Sequence, residues 1–452
     1  MFKRLLIANR GEIARRINQV AQGMGIETVA VYSDADKDLP FVREATEALR
    51  IGAAPAKESY LDVKRLLEAA KHTGSDAVHP GYGFVSENAA FARACTEAGI
   101  TFVGPPPSAM ERMKDKSEAR RIVSAAGVPI VPGSAGVVET AEAAAAEAER
   151  IGYPVLCKAA GGGGGIGMAV AKDAAEVEKA FRQCADRARA AFGREGLYLE
   201  RYFGEPRHIE VQILGDHHGN MIHVLERECS IQRRHQKVVE EAPSPLFANG
   251  ANAETKQKLF DAAIAAAKAF GYANAGTVEF LYAEGNVYFI EMNARLQVEH
   301  PITELTTGIP LIEWQLRIAA GEKLTVKQED VKRNGAALEF RIYAEDPVKF
   351  FPSPGPLTVY RPPTGANAEG VRLDSGYEEG SVVTPNYDPM IAKLIVTGKD
   401  RMEAVERSIR ALENFTVEGI KTNIPLHLRI LRDPAFREGT LDTRFLEKHA
   451  RP

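Results

Sequence analysis

Cysteine is scarce in this sequence, with four among 452 residues. No two cysteines form a Cys-x-x-Cys pair, which is the usual spacing of zinc cages and dithiol centres. Their scatter also argues against a disulfide framework and is typical of proteins in a reducing compartment. The four thiols are those of Cys95, Cys157, Cys184 and Cys229.

Long hydrophobic runs and a surplus of positive charge are absent as well. The N-terminus has a stretch of four apolar residues before Asn9, which is too short for the core of a signal peptide. No stretch approaches the roughly 20 apolar residues that span a bilayer. With 57 basic and 61 acidic residues, the net charge of −4 argues against general nucleic-acid binding. We therefore expect a cytoplasmic protein with no membrane and no nucleic acid as partner.

A chain of this length is too long for one compact core, although its 45% apolar and 26% charged residues are ordinary for a globular protein. The first hundred residues alternate strands with helices, which predicts a parallel sheet with helices on both faces. Because no Gly-x-Gly-x-x-Gly pattern follows the first strand, we expect no dinucleotide at that turn. The predicted strands are 5–8, 28–32, 77–78 and 101–103, and the predicted helix is 12–22.

The composition changes near residues 131 and 334. The middle part begins with alanine-rich helices and continues mainly as strands with tight turns, and the last part is rich in proline, glycine and tyrosine. The pattern shows no internal repeat, and the length of the chain predicts two to four domains. The predicted helices here are 140–149, 174–191, 253–270 and 402–414, and a predicted strand lies at 154–158.

Five consecutive glycines at 161–165 follow the strand that ends at Lys158. Backbone N–H groups of such a loop can converge on phosphate oxygens, and the ammonium of Lys158 is placed to reach them. A flexible linker is the alternative, since glycine runs are common in linkers. Residues 168–171 continue as a strand, whereas a P-loop would open a helix and place its lysine after the glycines. The pattern therefore predicts a flap that covers phosphates.

A predicted hairpin at 277–293 brings acidic residues together. Its turn is centred on Gly285, and Glu279 then opposes Glu291. Opposed glutamates are destabilising unless a cation joins them, and Asn293 adds an oxygen on the same face. This all-oxygen set suits Mg²⁺ with bound phosphates, and a solvated strand face is the alternative. The register also pairs Ala283 with Val287 and Leu281 with Phe289.

The same face continues if the chain stays extended beyond Asn293. Arg295, Gln297 and Glu299 would then join it. The residues between them would face a core, namely Met292, Ala294, Leu296 and Val298.

Residues 226–237 contain five side chains that are or can become cationic. A surface charge run is the usual meaning of such a string, and a nucleic-acid patch would have interleaved aromatic residues. An anion pocket is the third interpretation. There the cations would lower the pKa of Cys229, although we expect this residue to line the pocket rather than act as a nucleophile.

Four strings resemble those of the biotin carboxylase component of biotin-dependent carboxylases, which are ATP-grasp enzymes. The resemblance runs from residue 2 to about residue 446, and the last two strings are highly specific within ATP-grasp enzymes. The strings are HPGYGFVSEN at 79–88, Lys158 with its glycine flap, SIQRRHQKVVEEAP at 230–243 and EMNARLQVEHP at 291–301.

The resemblance implies a fold that is α/β and α+β multidomain, and a homodimer. The implied parts are an N-terminal Rossmann-like (pre-ATP-grasp) domain at 1–113, a linker helix at 114–130, an ATP-grasp lid at 131–203, an ATP-grasp core at 204–333 and a C-terminal biotin carboxylase domain at 334–446.

The resemblance also implies a role for individual residues. ATP would be bound by Lys116, Lys158, Gly163, Gly164, Gly165, Glu200, His208, Gln232, His235, Glu279, Leu281 and Glu291. Two Mg²⁺ ions, or Mn²⁺, would be bound by Glu279, Glu291 and Asn293. Bicarbonate would be bound by Lys237, Arg295, Gln297 and the backbone of Val298, and biotin by Tyr82 and Arg341. The catalytic residues would be Glu299, Arg295, Lys237 and Arg341.

In the implied reaction Glu299 deprotonates bicarbonate, which attacks the γ-phosphate of ATP while Mg²⁺ and Lys237 stabilise the charge. The resulting carboxyphosphate yields CO₂ and phosphate, the phosphate takes the N1′ proton of biotin, and Arg341 stabilises the enolate that attacks CO₂. Ile166 stands where many members have Arg or Lys, so this flap lacks one phosphate-facing cation.

Because the chain has no Met-Lys-Met biotinylation tripeptide, we expect biotin on a separate carrier protein or domain. A carboxyltransferase subunit would be the second partner, and it would select the final acceptor. The alternatives are another ATP-grasp ligase and a subunit that only binds nucleotide. Bicarbonate-dependent ATP hydrolysis that biotin stimulates distinguishes all three.

Overall fold

The computed structural model describes residues 1–159, 168–192, 196–234 and 236–449. Gly163, Gly164, Gly165, Ile166 and His235 lie outside the described residues. Within those ranges, no helix is both long and apolar enough to cross a bilayer.

The N-terminal part is built around a five-stranded parallel sheet. Its elements are β1 (Arg4–Ile7), α1 (Gly11–Gly23), β2 (Glu27–Ser33), α2 (Pro40–Glu44), β3 (Glu47–Gly52), α3 (Val63–His72), β4 (Ala77–His79), α4 (Ala89–Glu97) and β5 (Thr101–Phe102). The strand order is β3-β2-β1-β4-β5. Leu5 and Ile7 pack in one hydrophobic core and Leu6 in another, so both faces of β1 are buried. The predicted parallel sheet is confirmed, while β3, a half-exposed edge strand, was not predicted.

The turn after β1 is closed by a buried ion pair. Arg10 donates to both carboxylate oxygens of Asp36, at 2.6 and 2.7 Å, and to the hydroxyl of Tyr377 at 3.0 Å. Tyr377 belongs to the C-terminal part of the chain. The turn that a dinucleotide would need is therefore used to join two parts of the protein.

A smaller three-stranded unit follows two linking helices. The elements are α5 (Pro107–Lys114), α6 (Lys116–Ala125), α7 (Ala141–Ile151), β6 (Val155–Ala159), β7 (Met168–Ala171), α8 (Ala174–Phe192) and β8 (Leu197–Arg201). The strand order is β7-β6-β8, and the unit has a hydrophobic core of its own. Lys158 pairs with Met168 in antiparallel β6 and β7, which confirms that strands flank the glycine run.

The rest of the chain forms an eight-stranded sheet and two separate two-stranded sheets, with helices around them. Its first elements are β9 (Arg207–Gly215), β10 (Met221–Arg233), β11 (Gln236–Ala242), α9 (Ala253–Phe270), β12 (Asn274–Ala283), β13 (Asn286–Asn293), α10 (His300–Thr307) and α11 (Leu311–Ala319). Those that follow are β14 (Ala336–Tyr343), β15 (Gly355–Pro356), β16 (Val359–Arg361), β17 (Val371–Ser375), β18 (Val382–Val383), β19 (Met390–Gly398), α12 (Arg401–Glu413), β20 (Thr416–Glu418), α13 (Ile424–Arg432), α14 (Pro434–Glu438) and α15 (Phe445–His449).

The strand order of the eight-stranded sheet is β13-β12-β9-β10-β11-β14-β19-β17. Strand β14 pairs with β11, so the sheet continues from residues before 333 to residues after it. Side chains from the last third of the chain can therefore reach a site built on β9 to β12.

The register predicted for the hairpin is wrong near its turn. Glu284 and Gly285 both have positive φ, 51° and 79°, and form a two-residue turn, so Ala283 pairs with Asn286 rather than with Val287. A bulge at Ile290 restores the offset, and Glu279 opposes Glu291 as predicted. Two departures from regular geometry thus cancel. The extended conformation, however, ends at Asn293, and Glu299 is the residue before α10, with no side-chain capping hydrogen bond.

Candidate active site

Lys237, in β11, lies at the centre of a cluster of buried carboxylates. Its ammonium donates hydrogen bonds to Glu210 at 2.5 Å, Glu279 at 2.9 Å and Glu299 at 2.6 Å. Burial alone would lower the pKa of Lys237, but the three carboxylates hold it well above its ordinary value. The lysine therefore stays charged, and its partners come from β9, β12 and the residue before α10.

Glu299 is a buried carboxylate between two cations. Lys237 binds one oxygen, and Arg341, in β14, donates to the other at 3.0 Å. Burial would raise the pKa of Glu299, but Lys237 and Arg341 together hold it below its ordinary value. Arg341 also donates to Glu240 at 2.6 Å, and burial raises the pKa of Glu240 to about 7 despite this contact. Glu299 is thus an ionised carboxylate that can accept a proton once a cation moves away.

His208 and Gln232 form a pair beside Glu279. Nε2 of His208 lies 3.1 Å from a Glu279 oxygen, and Nδ1 lies 3.0 Å from Nε2 of Gln232. Leu281 is the cross-strand partner of His208 and packs against a small apolar cluster. Four residues predicted to bind ATP therefore lie side by side on β9, β10 and β12.

The two lysines predicted to bind ATP each lie beside a glutamate. Lys158 and Glu200 form an ion pair on adjacent strands, and Arg120 binds the other Glu200 oxygen at 2.8 Å. Lys116, at the start of α6, is exposed and lies 3.6 Å from Glu291. Each of these lysines is therefore paired with a carboxylate.

Glu279, Glu291 and Asn293 lie together at the end of the hairpin away from its turn. The glutamates are paired across the strands, and Nδ2 of Asn293 donates to Glu279 at 2.9 Å. Because carboxylate and amide oxygens are preferred ligands of Mg²⁺, these residues fit the predicted metal. Potential ligand atoms of His208, Glu210 and Glu279 also lie within 4.8 Å of one another.

An open cleft of about 310 Å³ runs along the hairpin. Glu291 and Asn293 line it, while apolar residues from α5, α9 and β13 form much of its wall. Glu291 is 43% exposed, whereas Glu279 is buried. A ligand in the cleft can therefore reach one of the paired glutamates directly. The cleft is lined by Glu87, Met110, Met113, Lys114, Lys116, Ala119, Phe270, Ile290, Glu291, Met292, Asn293 and Ala294.

Arg227 is a fully buried arginine that sequence analysis did not select. It donates to Glu210 at 2.5 Å and to Gln297 at 2.7 Å, and Gln297 donates to Glu279 at 2.7 Å. Arg227 thereby holds a predicted bicarbonate residue and a carboxylate partner of Lys237. Its other acceptors are Gln212, Thr303 and Thr277, at 2.8, 2.9 and 3.1 Å.

The remaining predicted bicarbonate residues flank Gln297. Arg295 donates to Asn293 at 2.9 Å and to Glu87 at 3.3 Å. Val298 is half-buried rather than part of a core, and its carbonyl accepts a hydrogen bond of 2.6 Å from Lys393 in β19. Arg295, Gln297 and Val298 therefore lie at one site through a turn before α10, not through a continued strand.

Tyr82 is fixed by its backbone. Asn9 donates to the carbonyls of Pro80 and Tyr82, both at 2.7 Å. The Tyr82 hydroxyl is buried and has no hydrogen-bond partner among the described residues. Its hydrogen-bonding capacity is therefore unused.

The cations of residues 226–237 are largely paired inside the protein. Arg227 is buried, and Arg233 donates to Glu345 at 2.6 Å. These pairs argue against both a surface run and a nucleic-acid patch. The expected low pKa of Cys229 is wrong, because burial and nearby carboxylates such as Glu210 raise it well above its ordinary value.

Sequence analysis also missed Glu210 and Glu240, which contact Lys237 and Arg341. Strand β9 alternates His208, Glu210 and Gln212 with apolar residues, and all three polar residues are buried. That alternation is the available signal. It is typical of half-exposed strands, so it does not reveal burial by itself.

Three family models match the chain in order. The biotin carboxylase N-terminal domain matches residues 1–110, the ATP-binding domain of the carbamoyl-phosphate synthase L chain matches 115–327, and the biotin carboxylase C-terminal domain matches 339–448.

Known proteins resemble the whole chain. The biotin carboxylase of Halalkalibacterium halodurans is 53% identical over 450 residues, which cover 99% of this chain and 98% of that protein. Biotin carboxylase 2 of Bacillus subtilis is 51% identical over 450 residues, covering 99% and 100%.

Solved structures also resemble the whole chain. Biotin carboxylase from Campylobacter jejuni, in a complex with a β,γ-ATP compound, has 46% identity and a TM-score of 0.92 over 99% of each chain. The biotin carboxylase domain of 2-oxoglutarate carboxylase from Hydrogenobacter thermophilus has 47% identity and a TM-score of 0.90, covering 99% of this chain and 98% of that one. It was solved as a dimer with MgADP, ADP and bicarbonate.

Proposed function

The chain belongs to the biotin carboxylase family, and we propose that the residues around Lys237 carry out the ATP- and bicarbonate-dependent carboxylation of biotin. This is the first half-reaction of a biotin-dependent carboxylase. The observation that carries the assignment of residues is the position of Glu299, a buried carboxylate between Lys237 and Arg341.

Glu299 is the general base. Its pKa is held low while Lys237 and Arg341 bind it, and so weak a base removes a proton poorly. Bicarbonate bound by Lys237 and Arg295 takes up part of the lysine's charge. The pKa of Glu299 then rises, so the substrate itself prepares the base that deprotonates it.

Phosphoryl transfer depends on cations around the nucleotide. Mg²⁺, or Mn²⁺, bound by Glu279, Glu291 and Asn293 supplies positive charge to the phosphates of ATP. Lys116 and Lys158 leave their glutamates for phosphate oxygens. Lys237 stabilises the transferring group as bicarbonate attacks it to form carboxyphosphate. His208, Gln232 and Leu281 hold the nucleotide.

Arg341 and Tyr82 bind biotin. Carboxyphosphate breaks down to CO₂ and phosphate, and the phosphate takes the N1′ proton. The guanidinium of Arg341 then stabilises the negative charge on the oxygen of the biotin enolate, and N1′ of this enolate attacks CO₂. The free hydroxyl of Tyr82 supports a role in lining this part of the site.

Biotin arrives on a carrier protein or domain, and a carboxyltransferase subunit uses the product. The absence of a Met-Lys-Met tripeptide supports a carrier that lies outside residues 1–452. A biotin-specific blot that detects biotin on this polypeptide would contradict it. The dimeric relative supports a homodimer, and four buried thiols suit the reducing cytoplasm.

The test is ADP release from purified protein with MgATP and bicarbonate, with and without free biotin. We expect turnover that requires bicarbonate and increases with biotin. Lys237→Met should lower the rate of ADP release by about 10²-fold or more, because the variant lacks the ammonium that stabilises the transferring phosphoryl group. The matched control is Lys258→Met, at an exposed helical ion pair.

Two outcomes contradict this proposal. ATP turnover that does not increase when biotin is added indicates another ATP-grasp ligase. Nucleotide binding without turnover indicates a subunit that only binds nucleotide.

A further inference from the structure

Lys393 is a fully buried lysine in β19, behind the proposed bicarbonate site. Its ammonium donates a hydrogen bond of 2.6 Å to the carbonyl of Val298, the residue before Glu299. Among the described residues, this is the shortest polar contact of the ammonium. The distances to Glu12 and Asp374 are 3.5 and 3.9 Å.

The surroundings of Lys393 are costly for stability. Both carboxylate oxygens of Glu12, and both of Glu339, lack hydrogen-bond partners among the described residues, although the two side chains are buried. A half-satisfied buried polar cluster is less stable than an apolar one of the same shape. Stability alone therefore does not account for a lysine at this position.

The sheet places Lys393 next to Arg341. The two residues are direct cross-strand partners in β14 and β19, so their side chains leave the same face. Arg341 binds the carboxylate of Glu299, and Lys393 binds the carbonyl of Val298. Neighbouring strands thus hold the side chain of the base and the backbone immediately before it.

We propose that Lys393 is a positioning residue for Glu299. It fixes the Val298 carbonyl and with it the direction in which the next residue presents its carboxylate to bicarbonate. This inference rests on the proposed function, because it concerns the general base of that reaction. Glu12 and Asp374 make the same ammonium a junction of α1, β17 and the turn before α10.

The test separates positioning from folding. Lys393→Met removes the donor but leaves Glu12 without its cation, whereas Glu12→Gln with Lys393→Met removes both charges. Glu12→Gln alone keeps the contact with Val298, and exposed Lys399→Met is the matched lysine control. Each variant is assayed for bicarbonate-dependent ATP hydrolysis, the KM of ATP and of bicarbonate, and the thermal midpoint.

We expect the double variant to recover most of the thermal midpoint that Lys393→Met loses. Both variants should still lose about 10- to 100-fold in kcat, because small displacements of a reacting group have effects of this size. The KM of bicarbonate should rise and that of ATP should stay within about twofold. Glu12→Gln and Lys399→Met should turn over like the wild type.

A double variant with wild-type kcat would overturn the proposal. So would a matching rise in the KM of ATP, which indicates general loosening, and so would failure of both Lys393 variants to fold, which makes the lysine structural. A wild-type enzyme without bicarbonate-dependent hydrolysis would refute the proposed function itself.

Discussion

The ammonium of Lys237 donates a hydrogen bond of 2.6 Å to the carboxylate of Glu299. Lys237, which we propose binds bicarbonate, is therefore bound to the proposed base Glu299 before bicarbonate arrives. The pair keeps Glu299 ionised, and in the proposed reaction the transfer of Lys237 from Glu299 to bicarbonate couples substrate binding to proton transfer. Substitutions at this site should therefore affect turnover more than nucleotide affinity.

Glu299→Gln tests the base directly. The amide keeps the shape of the side chain but cannot accept the proton, so kcat should fall by about 10² to 10⁴ while ATP still binds. ADP release and nucleotide titration measure the two quantities. Glu313→Gln, on the surface of α11, is the control and should behave like the wild type. Near-normal turnover in Glu299→Gln would assign the base to another group.

The paired glutamates should differ in their structural roles. Glu291→Gln and Glu279→Gln should each raise the Mg²⁺ concentration for half-maximal activity by about tenfold or more. Glu291 is 43% exposed, so its variant should change the free energy of unfolding by less than about 0.5 kcal/mol. Glu279→Gln should lower it by about 3–5 kcal/mol, because it leaves buried Lys237 short of a partner. Equal stability losses would contradict this division.

Arg227→Met should destabilise the protein by about 3–5 kcal/mol, since Glu210 then loses one of its buried cations. Urea unfolding measures the loss. Exposed Arg121→Met is the control and should stay within about 0.5 kcal/mol of the wild type. Adding Glu210→Gln to Arg227→Met should recover part of the stability. A double variant as unstable as the sum of the two single ones would show that the pair is not coupled.

Glu12 should make stability depend on pH. Burial raises its pKa from 4.5 to about 7 despite the nearby Lys393. Between these values the folded protein holds the proton more tightly than the unfolded chain does, so this group's contribution to stability falls as the pH rises. In Glu12→Gln the decline in unfolding free energy from about pH 5 to 7 should be smaller by about 1–3 kcal/mol. Urea unfolding at several pH values tests this, and parallel curves would contradict it.

Local sequence pattern was sufficient for much of the fold. The helix predicted over 253–270 has those bounds, and the alternation around Gly285 predicted the two strands that carry Glu279 and Glu291. The register next to the turn could not be predicted from the alternation, because it depends on two consecutive residues with positive φ and on a compensating bulge. Among the described residues, the strings at 230–243 and 291–301 meet where Lys237 binds Glu299, and Glu87 of the string at 79–88 contacts Arg295.

The sequence by itself determined many of the strands and helices and the placement of Glu279 opposite Glu291. Tertiary structure alone decided that Lys237 meets carboxylates from three separate elements, that Arg227 is buried and that Lys393 reaches the backbone beside Glu299. The physical reason is that hydrophobic periodicity is a local property. It specifies which face of a helix or strand is buried, from residues that are close together in the sequence. It does not specify strand order, and contacts among remote polar groups exist only once β12, β9, β10, β11, β14 and β19 lie in that order.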